Sequence, residues 1–176
     1  IPNIENLYDV AKAPLGEEYG PAYTVGQFGI IYDSSFTDEP VTSWNDLWRA
    51  EFENQLSIPE ITTTAGPMVL DLAAKHGGAS SLDPEVAFAE LENVKPNVVR
   101  VYSRSSDLAN MFSQGEISIA ASQDFAFGTI QEAVPSAVWV TPEEGSYAIT
   151  NTVNIVKGSE NVELAEKFID FLLSEE

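Results

Sequence analysis

The sequence predicts an α/β fold with a mixed, mainly parallel sheet flanked by helices. Short runs rich in β-branched and aromatic residues alternate with apolar-periodic stretches of about 10–15 residues, the pattern of βαβ units. Helix-start and helix-stop residues punctuate those stretches. The chain, 176 residues with 44% hydrophobic and 10% aromatic content, is long enough for one core or two small lobes and lies far from disordered composition.

Residues 1–22 carry little periodicity and contain Pro2, Pro14, Gly16, Gly20 and Pro21, so they read as a lead-in segment over another surface. "AYTVGQFGIIYD" (Ala22–Asp33) reads as a strand, and Gly26 and Gly29 inside it mark a backbone closely approached by another group. In "PVTSWNDLWRAEF", Thr42 or Ser43 caps a short helix, Asp46 faces its positive end, and Trp44, Leu47 and Trp48 share one face. "QLSIP" (55–59) is a short buried strand. "TTTAGPMVLDLAAKHGG" is a helix capped by Thr64, with Pro67 in its first turn and Gly77-Gly78 at its end.

A second helix follows in "SLDPEVAFAELENVKPN", with Asp83 as cap and Pro84 at the first position. "VVRVY" and "ISIAAS" are strands, separated by a helix that begins at Ser105 or Ser106 and closes at Gly115. "DFAFGTIQEAV" is a helix ended before Pro135, and "AVWVTP" a strand. "YAITNTVNIV" is a longer strand. "NVELAEKFIDFLL" is a helix capped by Asn161, with Phe168, Ile169 and Leu172 on its apolar side.

Charge narrows the partners. The 28 acidic residues against 8 basic ones give a net charge of −20, which repels nucleic acid and anionic membranes. A cationic ligand and a solvated acidic surface both fit that balance. The acids are scattered, which favours the solvated surface. The absence of cysteine removes disulfides, thiolate metal sites and thiol nucleophiles. His76 is the single histidine, at a helix end where it complements the dipole, so triads and His-based metal sites have no partners. No dinucleotide fingerprint, P-loop, nucleophile elbow, zincin or EF-hand motif occurs. No catalytic residue, metal ligand or cofactor is assigned.

Three polar loops between strands and helices remain. "EITTTAGP" gathers hydroxyls, Thr63 and Thr64 among them, at a helix start. "YSRSSD" adds Ser103 and Arg104. "ASQDFAF" adds Ser122, Gln123 and Asp124. In open α/β sheets ligands collect at the carboxyl ends of strands, so these loops are expected to converge on one crevice.

The order of the segments resembles the extracellular solute-binding proteins of bacterial ABC importers. "TSWNDLWRAEFENQLSIPE", "SDLANMFSQGEISIAAS" and "PEEGSYAITNTVNIVKGSENVELAEKFIDFLLSEE" are similar to three stretches of that family in family order, and the resemblance covers most of residues 20–176. The polyamine-binding and ferric-iron-binding branches are the nearest in pattern. The resemblance implies the type II periplasmic-binding-protein fold, two α/β lobes joined by crossing strands with a solute caught between them. Residues 1–22 would then lead in from a first lobe encoded upstream. Residues 23–156 would be the second lobe with crossing strands 23–33 and 147–156, and the helix of 157–176 would belong with the first lobe. The apolar side of that helix would be under-covered here, or covered by residues 1–22 or by a neighbouring molecule.

The implied function is capture of a small polar solute and its delivery to a membrane permease, without chemistry, in the periplasm or outside the cell. Membrane association would come through the permease or a lipid anchor on the parent protein. Candidate solute contacts are Gln27 and Phe28 on the first crossing, Thr63, Thr64, Ser103, Arg104, Ser122, Gln123 and Asp124 in the loops, and Tyr147 and Thr150 on the return strand. Hinge packing is the competing role for Phe28 and Tyr147. Ser122-Gln123-Asp124-Phe125 stand where the ferric-iron branch has adjacent tyrosines, so the phenolates for iron are missing. Ile149 and Asn151 stand where the polyamine branch has a tryptophan and an aspartate. The solute class is left open among polyamine-like, amino-acid-like and phosphorylated organic compounds. An enzyme or sensor domain on the same two-lobed fold is the alternative, to be recognised by a residue pair with catalytic geometry in the crevice. A ligand-free interaction domain is the third reading; a crevice lined by Thr64, Arg104 and Asp124 would argue against it, and scatter of those side chains over unrelated faces would undo the list of contacts.

Overall fold

A computed structural model describes residues 1–174; Glu175 and Glu176, the end of the predicted C-terminal segment 157–176, lie outside the described residues. The chain divides into two compact units, one formed by Ile1–Gly26 with Ala148–Glu176 and the other by Gln27–Tyr147. We call them unit 1 and unit 2.

In chain order the regular elements begin with a 3-10 turn at Pro2–Asn6 and a four-residue helix α1 (Asp9–Lys12), where the sequence predicts only an aperiodic lead-in. Strand β1 (Ala22–Asp33) carries the chain into unit 2. There follow β2 (Leu56–Pro59), α2 (Gly66–His76), α3 (Pro84–Val94), β3 (Val98–Tyr102), α4 (Ser105–Ser113), β4 (Ile119–Gln123), α5 (Phe127–Ala133) and β5 (Ala137–Val140). Strand β6 (Tyr147–Thr152) pairs with β1, and α6 (Val162–Leu172) follows it.

The sheet of unit 2 has the order β3-β2-β4-β1-β5. Strand β2 is parallel to both β3 and β4, whereas β1 is antiparallel to β4 and β5. Four of these five strands therefore point one way, and the predicted mixed, mainly parallel sheet is observed. Helices cover both faces. Ile31 and Ala120 pack with Leu108, Met111 and Phe112 of α4 and Ile130 of α5. On the other face, α2 and α3 meet through Ala73, Ala74 and Ala87, with Trp48 and Leu91 beside them. Burial of residues 28–32 as an unbroken run follows from cover on both sides. Gly29 meets the close approach that its position predicts, since a Cβ there would lie 2.6 Å from the Trp139 ring and from the Val140 carbonyl oxygen.

Local signals account for most helix ends. Asp83 accepts from the amides of Glu85 and Val86, and Pro84 opens α3. Of the two caps offered before Trp44, Ser43 is used, in a capping box with Asp46, and the turn it opens is 3-10. Three expectations are corrected. Thr64 does not cap α2, because the N-cap position falls on Ala65 and its neighbour Thr63 instead turns its hydroxyl back to the Glu60 carbonyl at 2.7 Å. Asn161 makes no side-chain cap; its own amide donates to the Ser159 hydroxyl at 3.2 Å. "YAITNTVNIV" is not one long strand, since regular pairing stops at Thr152.

Unit 1 buries Ala11, Ala22, Ile149, Ile169 and Leu173 and is tied together by polar and backbone contacts. Val153 N–H donates to the Pro21 carbonyl at 3.0 Å and Gly20 N–H to Asn154 Oδ1 at 2.6 Å. Gly20 is obligatory there, because a Cβ would fall 1.8 Å from the Val153 carbonyl oxygen. The 3-10 turn reaches α6 through Asn3, whose amide donates to Asp170 Oδ1 at 2.8 Å.

Candidate functional site

Parallel pairing of β2 with β3 and β4 brings the carboxyl ends of all three strands to one edge of unit 2. Each end passes into a polar loop. The three loops enclose a cleft of about 70 Å³ whose walls include Thr63 after β2, Ser103 and Ser105 after β3, and Ser122 and Gln123 at the end of β4. Phe125, 67% exposed, stands at its mouth. A recess of about 210 Å³ along Ser105, Ser106, Ala109 and Thr129 shares Ser105, Phe125 and Ala126 with the cleft.

The polar groups of the cleft are hydroxyls and an amide, set among Pro59, Ala65, Phe125 and Ala126. Helix α4 begins at Ser105 without a side-chain cap; the Asp107 and Leu108 amides donate to the Arg104 carbonyl, which leaves the amides of Ser105 and Ser106 for an oxygen-bearing ligand. Tyr102 forms part of the floor. Its hydroxyl donates to the Ala121 carbonyl at 2.9 Å, and burial pushes its phenol up to about 12.

Four of the predicted contact residues, Thr63, Ser103, Ser122 and Gln123, share this cleft, one or more from every loop. Their neighbours do not. Thr64 and Arg104 are exposed and line no part of it, and Asp124 turns toward β1, where Oδ2 accepts from the Gln27 amide at 3.0 Å. The loops meet through Thr63, Ser103, Ser122 and Gln123, whereas Thr64, Arg104 and Asp124 line no shared crevice, so the condition set against a ligand-free interaction domain is not met and these three drop out of the candidate contacts. Gln27 also accepts on Oε1 from the hydroxyl of Thr141 at 3.2 Å. Ser105 and Phe125 are not among the predicted contacts. Both fall in the flagged loops, and their orientation depends on how the strand becomes helix.

The aromatic candidates pack inside unit 2. Phe28 is fully buried and stacks on Trp44 with ring centroids 5.4 Å apart, so it offers no face to a solute. Tyr147, half-buried, lies 6.4 Å from both rings. Its hydroxyl donates to Asp71, and Lys75 Nζ donates to that hydroxyl at 3.1 Å while pairing with Asp71 Oδ2 at 2.7 Å. Burial works to raise the Asp71 carboxyl, but hydrogen bonds from Lys75 and Tyr147 outweigh it and hold the carboxyl below the usual carboxylate range. Burial and the Asp71 hydrogen bond push the Tyr147 phenol up. In unit 1, Thr150 is half-buried, Ile149 is 8% exposed, and the Asn151 side chain donates to Thr24 Oγ1 at 2.7 Å.

His76 ends α2 as its helix-end role requires. Its ring also stacks on Trp48 at 4.0 Å and its Nδ1 lies 2.7 Å from Asn45 Oδ1.

An α/β unit with a mixed sheet, a polar cleft at its parallel strand ends and two strands leading out of it defines a lobe of a type II periplasmic binding protein. The chain belongs to the family of bacterial extracellular solute-binding proteins, whose model matches residues 1–176. A spermidine/putrescine-binding periplasmic protein from Salmonella typhimurium strain LT2 is 31% identical over 161 residues, which are 89% of this chain and 45% of that protein. A Salmonella typhi protein with the provisional name of a 2-aminoethylphosphonate-binding periplasmic protein is 28% identical over 182 residues, covering 100% of this chain and 49% of that protein. The crystal structure of an ABC transporter from Clostridium perfringens ATCC 13124 matches 99% of this chain and 55% of that chain, at 49% identity and a TM-score of 0.85. The chain thus spans about half the length of the curated relatives it matches. Among the described residues no helix is long and apolar enough to cross a membrane.

Proposed function

We propose that this chain is the solute-binding second lobe, with its crossing strands, of an ABC-importer binding protein. In this reading residues 23–156 form the lobe, 1–22 lead in from a first lobe and 157–176 belong with that lobe. The whole protein captures a small polar solute by lobe closure and delivers it to a membrane permease. It works in the periplasm or outside the cell, tethered through the permease or a lipid anchor, and performs no chemistry.

The observation that carries this reading is the convergence of Thr63, Ser103, Ser122 and Gln123, from three separate strand ends, on one cleft. A structural role needs no such gathering of hydroxyls. The same donors, with the amides of Ser105 and Ser106 at the start of α4, favour a solute whose oxygen-rich end, a carboxylate or phosphonate, meets this lobe. The names of the relatives place polyamines and 2-aminoethylphosphonate among the solutes to be tried first.

The test is a thermal-shift screen of the full-length protein against spermidine, putrescine, 2-aminoethylphosphonate, amino acids and sugar phosphates, since a ligand that binds only the native state raises its midpoint. One class should raise the midpoint, and Thr63→Val with Ser103→Ala should weaken that solute about tenfold, the worth of one or two lost hydrogen bonds. A flat response to every class, or an unchanged affinity in the double variant, overturns the assignment.

A further inference from the structure

The loop of residues 60–66 has a second side. Behind it, at the β3 edge of the sheet, a cavity of about 210 Å³ lies between the loop, α2 and α3. Its walls are aliphatic: Ile58 of β2, Val69 and Leu70 of α2, Leu91 of α3 and Val101 of β3. The cavity exists because β3 ends the sheet, so α2 and α3 cover β2 but leave Val101 51% exposed. It is open to solvent on the side of Val101 and Ile61, and its volume admits a short hydrocarbon chain.

One charged group lines it. Glu60 is half-buried, and among the described residues its carboxylate has no hydrogen-bond or ion-pair partner. Its backbone is fixed, with N–H donating to the Tyr102 carbonyl at 2.8 Å and C=O accepting from Thr63. Gly66 pins the far end of the loop, since a Cβ there would lie 2.4 Å from the Ile61 carbonyl oxygen. An aliphatic cavity with one unpaired carboxylate complements a molecule with a short hydrocarbon chain and one cationic end.

We propose that this cavity is a second ligand site, separate from the strand-end cleft, and that it takes an aliphatic monoammonium ion. The chain seats against Leu70, Leu91 and Val101, and the ammonium pairs with Glu60. A diammonium of similar length is disfavoured, because partial desolvation of its second charge against Leu70 and Leu91 is offset by no partner there.

The experiment titrates n-pentylammonium chloride into the chain and follows its methyl NMR resonances, with 1-pentanol and 1,5-diaminopentane as matched probes. Pentylammonium should move the methyls of Leu70, Leu91 and Val101 saturably at millimolar concentration. Glu60→Gln should weaken it by about tenfold or more, the loss expected for a charge-assisted hydrogen bond. Pentanol and the diamine should each bind at least several-fold more weakly. Unmoved methyls, or pentanol or diaminopentane binding as tightly as pentylammonium, overturns the proposal. These probe comparisons use the unaltered chain, so the outcome does not depend on how Glu60→Gln folds.

Discussion

In unit 2 the strand run 28–32 is buried on both faces, whereas α6 in unit 1 buries Ile169 and leaves Leu164, Phe168 and Phe171 more than half exposed. Both segments are rich in apolar residues. The strand run has β4 and β5 at its sides, α4 and α5 over Ile31, and Trp44 against Phe28. Helix α6 has the 3-10 turn of Pro2–Asn6 against it, joined through Asn3, and a five-residue turn covers one strip of a helix and no more. An amphipathic stripe is set by residue spacing alone, but the surface that buries it must come from elsewhere in the protein. Asn3 of the lead-in segment bonds to Asp170 of this helix, while Phe168 is 57% and Leu172 41% exposed.

The contrast can be broken experimentally, and the tryptophans make it convenient. Trp44, Trp48 and Trp139 all lie in unit 2, so intrinsic fluorescence reports that unit alone. The largest effect is expected from Leu108→Ala, which empties a fully buried site between α4 and the sheet. It should lower the stability of unit 2 by about 2–5 kcal/mol in urea unfolding followed by fluorescence. A loss under about 1 kcal/mol would mean that this core is not packed as described.

An intermediate effect comes from Tyr102. Its phenol is pushed up to about 12 in the folded state, while phenols of an unfolded chain ionise near pH 10. Below that lower value both states hold the proton, and the contribution to stability is full. As pH rises toward about 12 the unfolded chain releases its proton first, so stability falls across that window. The urea midpoint of the native protein should therefore drop more steeply above pH 10 than that of Tyr102→Phe, and parallel slopes would remove Tyr102 from the floor of the cleft.

The smallest effect is expected in unit 1. Phe168→Ala removes a side chain that is 57% exposed, so stability should change by no more than about 0.5 kcal/mol and the fluorescence midpoint should stay where it is. Binding of a hydrophobic dye should fall, since the variant loses part of an apolar face. A large loss of stability would show that α6 is covered after all.

The sequence is informative wherever a local rule suffices. Asp83-Pro84 marks the start of α3, Gly29 signals a close approach that proves to be that of Trp139, and alternation of strand and helix patterns indicates the sheet and the loops that carry the cleft. It is less informative where direction matters. Adjacent residues of a loop, such as Thr63 and Thr64 or Ser103 and Arg104, have the same composition signal, and only backbone geometry turns one of each pair into the cleft. The partners of Tyr147, Asp71 and Lys75, lie more than seventy residues away and carry no local mark of the contact.

Spacing, capping residues and glycine positions thus settle which segments become strands and helices, because those preferences act within a few residues along the chain. Tertiary structure decides the rest. Only the pairing of β2 with β3 and β4 in parallel assembles Thr63, Ser103, Ser122 and Gln123, and only the end of the sheet at β3 opens the aliphatic cavity beside Glu60. Both outcomes depend on contacts between segments far apart in the chain, where no periodicity specifies which strand lies beside which.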